Sequence, residues 1–167
     1  MGLLTGLSAK IDGASKIAVT DLYDHNLSLA VDLFGAAIYN AKQDQLTQNI
    51  ISDYPDRFDI VFLCGNANLM VQQAFEIVKS GGRIVVTGLF MKPAVLPLID
   101  MTLREIELIG TQIYDHRDFK KALDWLDSGD HEFTKLVSNV LPLDKAQDAM
   151  QMVCDPDQRT IKVLLEA

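Results

Sequence analysis

Gly2 opens a helix-like run, Leu3-Leu4-Thr5-Gly6-Leu7, and a strand-like run from Lys16 to Thr20 ends at Asp21, nineteen positions beyond that glycine. A glycine where a helix meets its strand, followed about twenty residues later by an acid at the next strand end, is how a βαβ unit holds a dinucleotide. The helix amides face phosphate, and the carboxylate bonds the adenosine ribose hydroxyls. The strand and the two glycines that complete such a turn do not stand before Gly2, so the pyrophosphate cradle is expected to be incomplete. Further along, Thr87-Gly88-Leu89 follows a short apolar run. Ligands of open α/β sheets sit at the carboxyl ends of strands, which makes this segment a candidate contact. Two plainer roles stay open: Asp21 as the cap of a helix starting near Asp24, and Gly88 as a tight strand exit.

The elements that must position these residues alternate from end to end. Strands are predicted at Lys16–Thr20, Ala36–Tyr39, Phe58–Leu63, Arg83–Thr87 and Glu107–Gly110. Several are apolar without alternation, as parallel strands covered on both faces should be. Helices are predicted at Leu3–Ile11, Asn26–Phe34, Gln43–Ser52, Leu69–Lys79 and Phe119–Leu126, with Gly13, Gly35 and the pair Gly81-Gly82 at C-cap distance. Asp115 suits the N-cap of the helix at Phe119, with Asp118 in its first turn and a stop at Ser128-Gly129. Its residues Phe119, Ala122, Leu123 and Leu126 share one face and are expected in the core. The tail reads as a strand at Val137–Leu141, a helix at Leu143–Val153, a loop through Cys154-Asp155-Pro156-Asp157, and a strand at Thr160–Leu165. Residues 1–129 form a doubly wound, mainly parallel α/β domain of Rossmann type in this reading, and 130–167 a separate tail. Val19, Val61 and Val86 are expected in one sheet.

A net charge of −8 and a pI near 4.7 argue against nucleic acid as a partner, because phosphate tracking needs clustered Lys and Arg. No apolar run approaches the roughly 20 residues that span a bilayer, so no membrane partner is expected and the cytoplasm is the default location. Cys64 and Cys154 stand far apart and are expected as buried free thiols. His25, His116 and His131 are as scattered, and no metal site is predicted.

Asp21, the Gly35-Ala36 step, Phe58-Asp59-Ile60-Val61-Phe62, the run from Gly81 to Leu89, Leu108-Ile109-Gly110-Thr111 and Ile161-Lys162-Val163-Leu164 form an ordered series. In that order and spacing the chain resembles the coenzyme domain and C-terminal tail of zinc-type medium-chain dehydrogenases/reductases, the polyol, butanediol and threonine dehydrogenases especially. The resemblance implies NAD as cofactor, bound weakly or lost, with Asp21 favouring it over NADP because neither Leu22 nor Tyr23 is basic. It implies cofactor contacts at Gly2, Asp21, Cys64, Gly65, Thr87, Gly88, Leu89, Thr111 and Ile113, with the last five near the nicotinamide. Phe62-Leu63-Cys64-Gly65 is shorter and more apolar than the family's pattern, which carries an acid there. The family's zinc ligands lie in a catalytic domain absent from these residues, so neither zinc nor unaided hydride transfer is expected.

Three functions follow as expectations: an NAD-binding module acting with a separate catalytic-domain partner, a non-enzymatic homo-oligomeric or interaction protein, and a fragment of a conventional dehydrogenase. The strand missing beside Ile17 and Ile60 leaves two edges. The tail strand is expected either to fill that place or to pair with another copy, and direct pairing of the flanking strands is the competing outcome.

Overall fold

The computed structural model describes residues 1–129, 132–155 and 159–167. His131 and the Pro156-Asp157 part of the tail loop lie outside them. Contacts divide the chain into two compact units, Met1–Ile113 and Tyr114–Ala167. The sequence reading placed its boundary after residue 129 instead, assigning the helix near Phe119 to the first domain.

The first unit alternates helix and strand: α1 (Gly2–Ile11), β1 (Ala18–Asp21), α2 (Asp24–Phe34), β2 (Ala37–Asn40), α3 (Leu46–Asp53), β3 (Phe58–Leu63), α4 (Asn68–Ile77), β4 (Val78–Val86), α5 (Leu98–Leu103) and β5 (Glu107–Gly110). Every strand pair is parallel. β1 pairs with β2 from Ala18↔Ala37 to Asp21↔Asn40, and β3, β4 and β5 form a second sheet in that order. The doubly wound, Rossmann-like α/β class predicted above is the class observed. The single sheet is not: Val19 lies in one sheet and Val61 and Val86 in another. The break has a topological cause. In the strand order 3-2-1-4-5-6 the first strand stands between the second and the fourth, and these are β1 and β3 here. Nothing among the described residues pairs with both, and β1 and β3 do not pair with each other.

One buried cluster sits on the second sheet, while Leu7, Leu27, Ala30, Phe34, Leu46 and Ile50 are buried on α1, α2 and α3. Val71, Ala74, Phe75 and Val78 recur at helical spacing along α4 and its exit, and they meet Leu63 of β3, Ile84 of β4 and Ile106 before β5. Each such large side chain contributes roughly 1.5–3 kcal/mol by leaving water. The chain turns from α4 directly into β4 at Val78, whose backbone is already extended. Gly81 and Gly82 therefore do not cap the helix as predicted. Gly81, at φ +69°, kinks the strand where its register against β3 shifts, and its N–H donates to the Arg104 carbonyl at 2.8 Å. The Arg104 guanidinium in turn donates to the carbonyls of Phe75 (2.6 Å) and Val78, satisfying the end of α4 that no glycine caps.

The second unit holds α6 (His116–Ser128), a 3₁₀ turn at Phe133–Leu136, β6 (Val137–Pro142), a 3₁₀ turn at Leu143–Lys145, α7 (Ala146–Cys154) and β7 (Lys162–Glu166). β7 pairs in parallel with β6, from Val137↔Lys162 to Pro142↔Glu166. Within the chain the tail strand is thus paired with its predecessor and fills no place beside β1 or β3. The crossover through α7 supplies it with a partner at short range.

Entry into α6 follows the predicted chemistry. Asp115 accepts from the N–H groups of Arg117 (2.7 Å) and Asp118 (3.1 Å), and Asp118 accepts from the N–H of Asp115 (3.1 Å), a reciprocal capping box. Gly129 closes the helix in left-handed backbone. The apolar face does not enter a core: Phe119 is 51% exposed, Leu123 and Leu126 are exposed with it, and no residue of α6 is buried. Periodicity reports that a face is apolar, and in this unit no described element covers it.

The Arg117 guanidinium, with the two N–H bonds of the cap, holds the Asp115 carboxyl below the ordinary carboxylate range. A depressed folded pKa gives stability that is fully present above the unfolded carboxyl value and is lost as pH falls through the lowered one. The first turn of α6 is expected to stay ordered at pH 4 and to fray only below the carboxyl's own titration, as read from the amide and carboxyl NMR shifts of Asp115 and Asp118.

Candidate dinucleotide site

The nine candidate residues stand at the start of α1, at the last residue of β1, or just past the carboxyl ends of β3, β4 and β5. Their tightest cluster is built on one carbonyl. The Leu63 oxygen, last in β3, accepts from the N–H of Thr87 (3.1 Å), the N–H of Gly88 (2.8 Å) and the Thr87 hydroxyl (3.1 Å). This folds the exit of β4 down upon the exit of β3. A Cβ on Gly88 would lie 2.7 Å from the Gly65 carbonyl carbon and closer still to its oxygen, so the two glycines pack backbone on backbone. Gly88 is therefore more than a strand exit: only a residue without a side chain lets these two turns touch.

α1 meets the same place. A Cβ on Gly2 would lie 3.6 Å from Cys64 Cβ, an ordinary contact, and Cys64 Sγ donates weakly to Thr5 Oγ1 at 3.6 Å. The close helix packing that the sequence suggested for Gly2 occurs at Gly6, where a Cβ would lie 2.5 Å from Phe34 Cζ of α2. The signal was present in the sequence, since a glycine inside a helix costs about 1 kcal/mol against alanine and asks for a packing reason. Cys64 is half-buried and Cys154 is exposed at the end of α7. Both thiols are free, but the expectation that they are buried fails, because each sits at an element terminus rather than on a core face.

Asp21 ends β1. Its Oδ1 accepts from the Tyr23 N–H at 2.9 Å, a turn that leads the chain toward α2, although α2 itself has no side-chain cap. Neither Leu22 nor Tyr23 carries a cation. A cation arrives from the exit of β2 instead, where the Lys42 ammonium stands 5.3 Å from the Tyr23 ring centroid. Thr111 continues the ladder by donating to Val86 O at 3.0 Å. Leu89, Thr111 and Ile113 are exposed. Ile113 is 82% exposed at φ +66°, a left-handed conformation that a β-branched side chain strains to adopt. The structure thus brings Gly2, Cys64, Gly65, Thr87 and Gly88 together and lines Leu89, Thr111 and Ile113 along the same crest. Asp21 stands at the end of the other sheet.

Strongly perturbed titratable groups lie elsewhere. Burial, then the 2.6 Å bond to Asp53, pushes the Tyr39 hydroxyl above the usual phenol range, and Lys79 lowers the Asp59 carboxyl. Neither belongs to the nine. Among the described residues no three His, Cys, Asp or Glu side chains converge as metal ligands, so these residues do not fit a zinc ion. Gly65 and Gly88 stand without side chains at the carboxyl ends of β3 and β4, the edge at which ligands of open α/β sheets sit, and Asp21 ends β1.

The profile described as zinc-binding dehydrogenase matches residues 1–128. The chain belongs to this family. It is 27% identical over 157 residues to sorbitol dehydrogenase from Bombyx mori, a match that covers 91% of the chain and 44% of that protein. Alcohol dehydrogenase TADH from Thermus sp. ATN1 has the same fold with a TM-score of 0.90 and 27% identity, over 99% of this chain and 48% of that one. A short chain alcohol dehydrogenase from E. coli CFT073, complexed with NADH, shares the fold at a TM-score of 0.90 and 20% identity, covering 99% of this chain and 49% of its own. The chain spans about half the length of the relatives it matches. No described helix is long and apolar enough to cross a membrane.

Proposed function

We propose that these 167 residues are the NAD(H)-binding half of a zinc-type alcohol or polyol dehydrogenase, cytoplasmic, and that they do not transfer hydride unaided. The observation that carries this reading is the glycine-on-glycine crest at Gly65 and Gly88, in line with Thr111 and Ile113. Bound there, the nicotinamide would supply the hydride acceptor. Thr87 and Thr111 backbone groups would orient its amide, and the Asp21 carboxylate would take the ribose hydroxyls and repel a 2′-phosphate. The catalytic zinc would belong to a catalytic domain carried by a partner or by the rest of a longer chain. Support comes from the family match and from the fold shared with a dehydrogenase in complex with NADH. A homo-oligomeric, non-enzymatic interaction protein is the second reading, and the open apolar face of α6 favours it.

Calorimetric titration separates the two readings. NADH is expected to bind at least tenfold more tightly than NADPH, and Asp21→Asn is expected to erase that preference while Lys42→Ala widens it. Equal or tighter NADPH binding by the native chain contradicts the role given to Asp21. No heat with either nucleotide at millimolar concentration leaves the interaction protein.

A further inference from the structure

β1 and β2 end in register, with Asp21 opposite Asn40, and the turns that leave them are tied to each other. The Ala41 N–H donates to the Asp21 carbonyl at 2.9 Å, which carries the exit of β2 alongside that of β1. The Asn40 side chain then holds both turns. Its Oδ1 accepts from the Lys42 N–H at 2.9 Å, and its Nδ2 donates to Asp24 Oδ1 at 2.6 Å. Lys42, in the second turn, thereby stands with its ammonium 5.3 Å from the ring centroid of Tyr23, in the first. Tyr23 is also the residue whose N–H donates to Asp21 Oδ1 at 2.9 Å, so cation and carboxylate share one rim. Lys42 is exposed, and among the described residues it pairs with no carboxylate.

We infer, resting on the role proposed for Asp21, that Lys42 is a specificity-determining residue that gives the adenosine end of the site an affinity for a 2′-phosphate, with Asn40 as the residue that positions it. An acid at this strand end selects the bare ribose, and a cation nearby accommodates the phosphorylated one. Here both stand on the same rim, one from each strand. Asp21 repels the phosphate and Lys42 attracts it, so their balance sets the choice where Asp21 alone would exclude a 2′-phosphorylated nucleotide. A phosphate oxygen on an ammonium makes a charge-assisted bond, roughly twice as strong as a neutral one. The contact with an exposed aromatic ring is weak by comparison, so the ammonium can exchange Tyr23 for phosphate. Every group involved belongs to β1, β2 and the turns that leave them.

The test is calorimetric titration of the whole chain with two fragments, adenosine 5′-monophosphate and adenosine 2′,5′-bisphosphate, which differ only in the 2′-phosphate and carry no nicotinamide. Lys42→Ala is expected to weaken the bisphosphate roughly tenfold and the monophosphate by less than about twofold. Lys42→Arg is expected to keep the native ratio of the two affinities. Asn40→Ala is expected to weaken the bisphosphate alone by about threefold, because the ammonium is then no longer held on the rim. A merely structural loss would weaken both fragments together and leave their ratio as it was. An unchanged ratio in either alanine variant overturns the inference, and where NADH still binds it leaves the role of Asp21 standing. Failure of both fragments to bind at millimolar concentration overturns it as well, and failure of NADH beside them takes the role of Asp21 with it.

Discussion

Gly88→Ala is expected to destabilise the first unit by about 3 kcal/mol, the upper end of the usual range for overpacking. The size of the effect follows from what the new methyl meets. It would press on the carbonyl of Gly65, part of the backbone, and Leu63 O lies 3.3 Å away behind it. A flexible side chain could rotate aside, but a carbonyl moves only with its turn. That turn is held by the three bonds into Leu63 O. Gly110→Ala is the matched control, because nothing lies within 4 Å of its Cβ position and its backbone is not left-handed. Reduced conformational freedom of the unfolded chain should leave that variant neutral or slightly more stable. Urea midpoints at unchanged slope would measure both. A Gly88→Ala chain as stable as Gly110→Ala means that the two turns do not touch as described.

The second large effect is expected at Ile84. Its side chain is 0% exposed, at the centre of the cluster formed by Leu63, Val71, Ala74, Phe75, Val78 and Ile106. Ile84→Ala removes buried methyl groups and leaves a cavity between β4 and α4, a loss of roughly 2–5 kcal/mol. Domains of this size hold only about 5–15 kcal/mol, so the variant should sit close to unfolding at 37 °C. Ile60→Ala makes the comparison, because its side chain on β3 is nearly half in water and should cost less than half as much. Similar losses at both positions would place the core on the wrong face of the second sheet.

β3 and β5 were legible residue for residue, since each is an apolar run bounded by polar or glycine punctuation. α6 was legible at both ends because Asp115, Asp118 and Gly129 act within a single turn of chain. What escaped the sequence depends on neighbours distant along it. Gly81-Gly82 is punctuation that serves a helix cap and a strand kink equally, and the choice is made by Arg104, which closes α4 from beyond α5. α5 itself is one short turn-rich helix after Pro97, too brief for periodicity to register. The split between the two sheets is a property of pairing, which no strand's own residues encode. At the candidate site, the glycines and the acid are candidates by their spacing, whereas Gly6 and Lys42 were missed because their partners, Phe34 and Tyr23, are brought to them by the fold.

The central claim is that the crest at the carboxyl ends of β1, β3, β4 and β5 is where NADH binds. Two-dimensional NMR of the isotopically labelled chain, titrated with NADH, tests it most directly. The account predicts saturable shifts at Gly2, Asp21, Gly65, Thr87, Gly88, Leu89, Thr111 and Ile113, with the amides around Lys10, Lys16 and Tyr54 at the opposite strand ends unmoved. Saturable shifts confined to those opposite ends, or none at the crest at millimolar NADH, would contradict it.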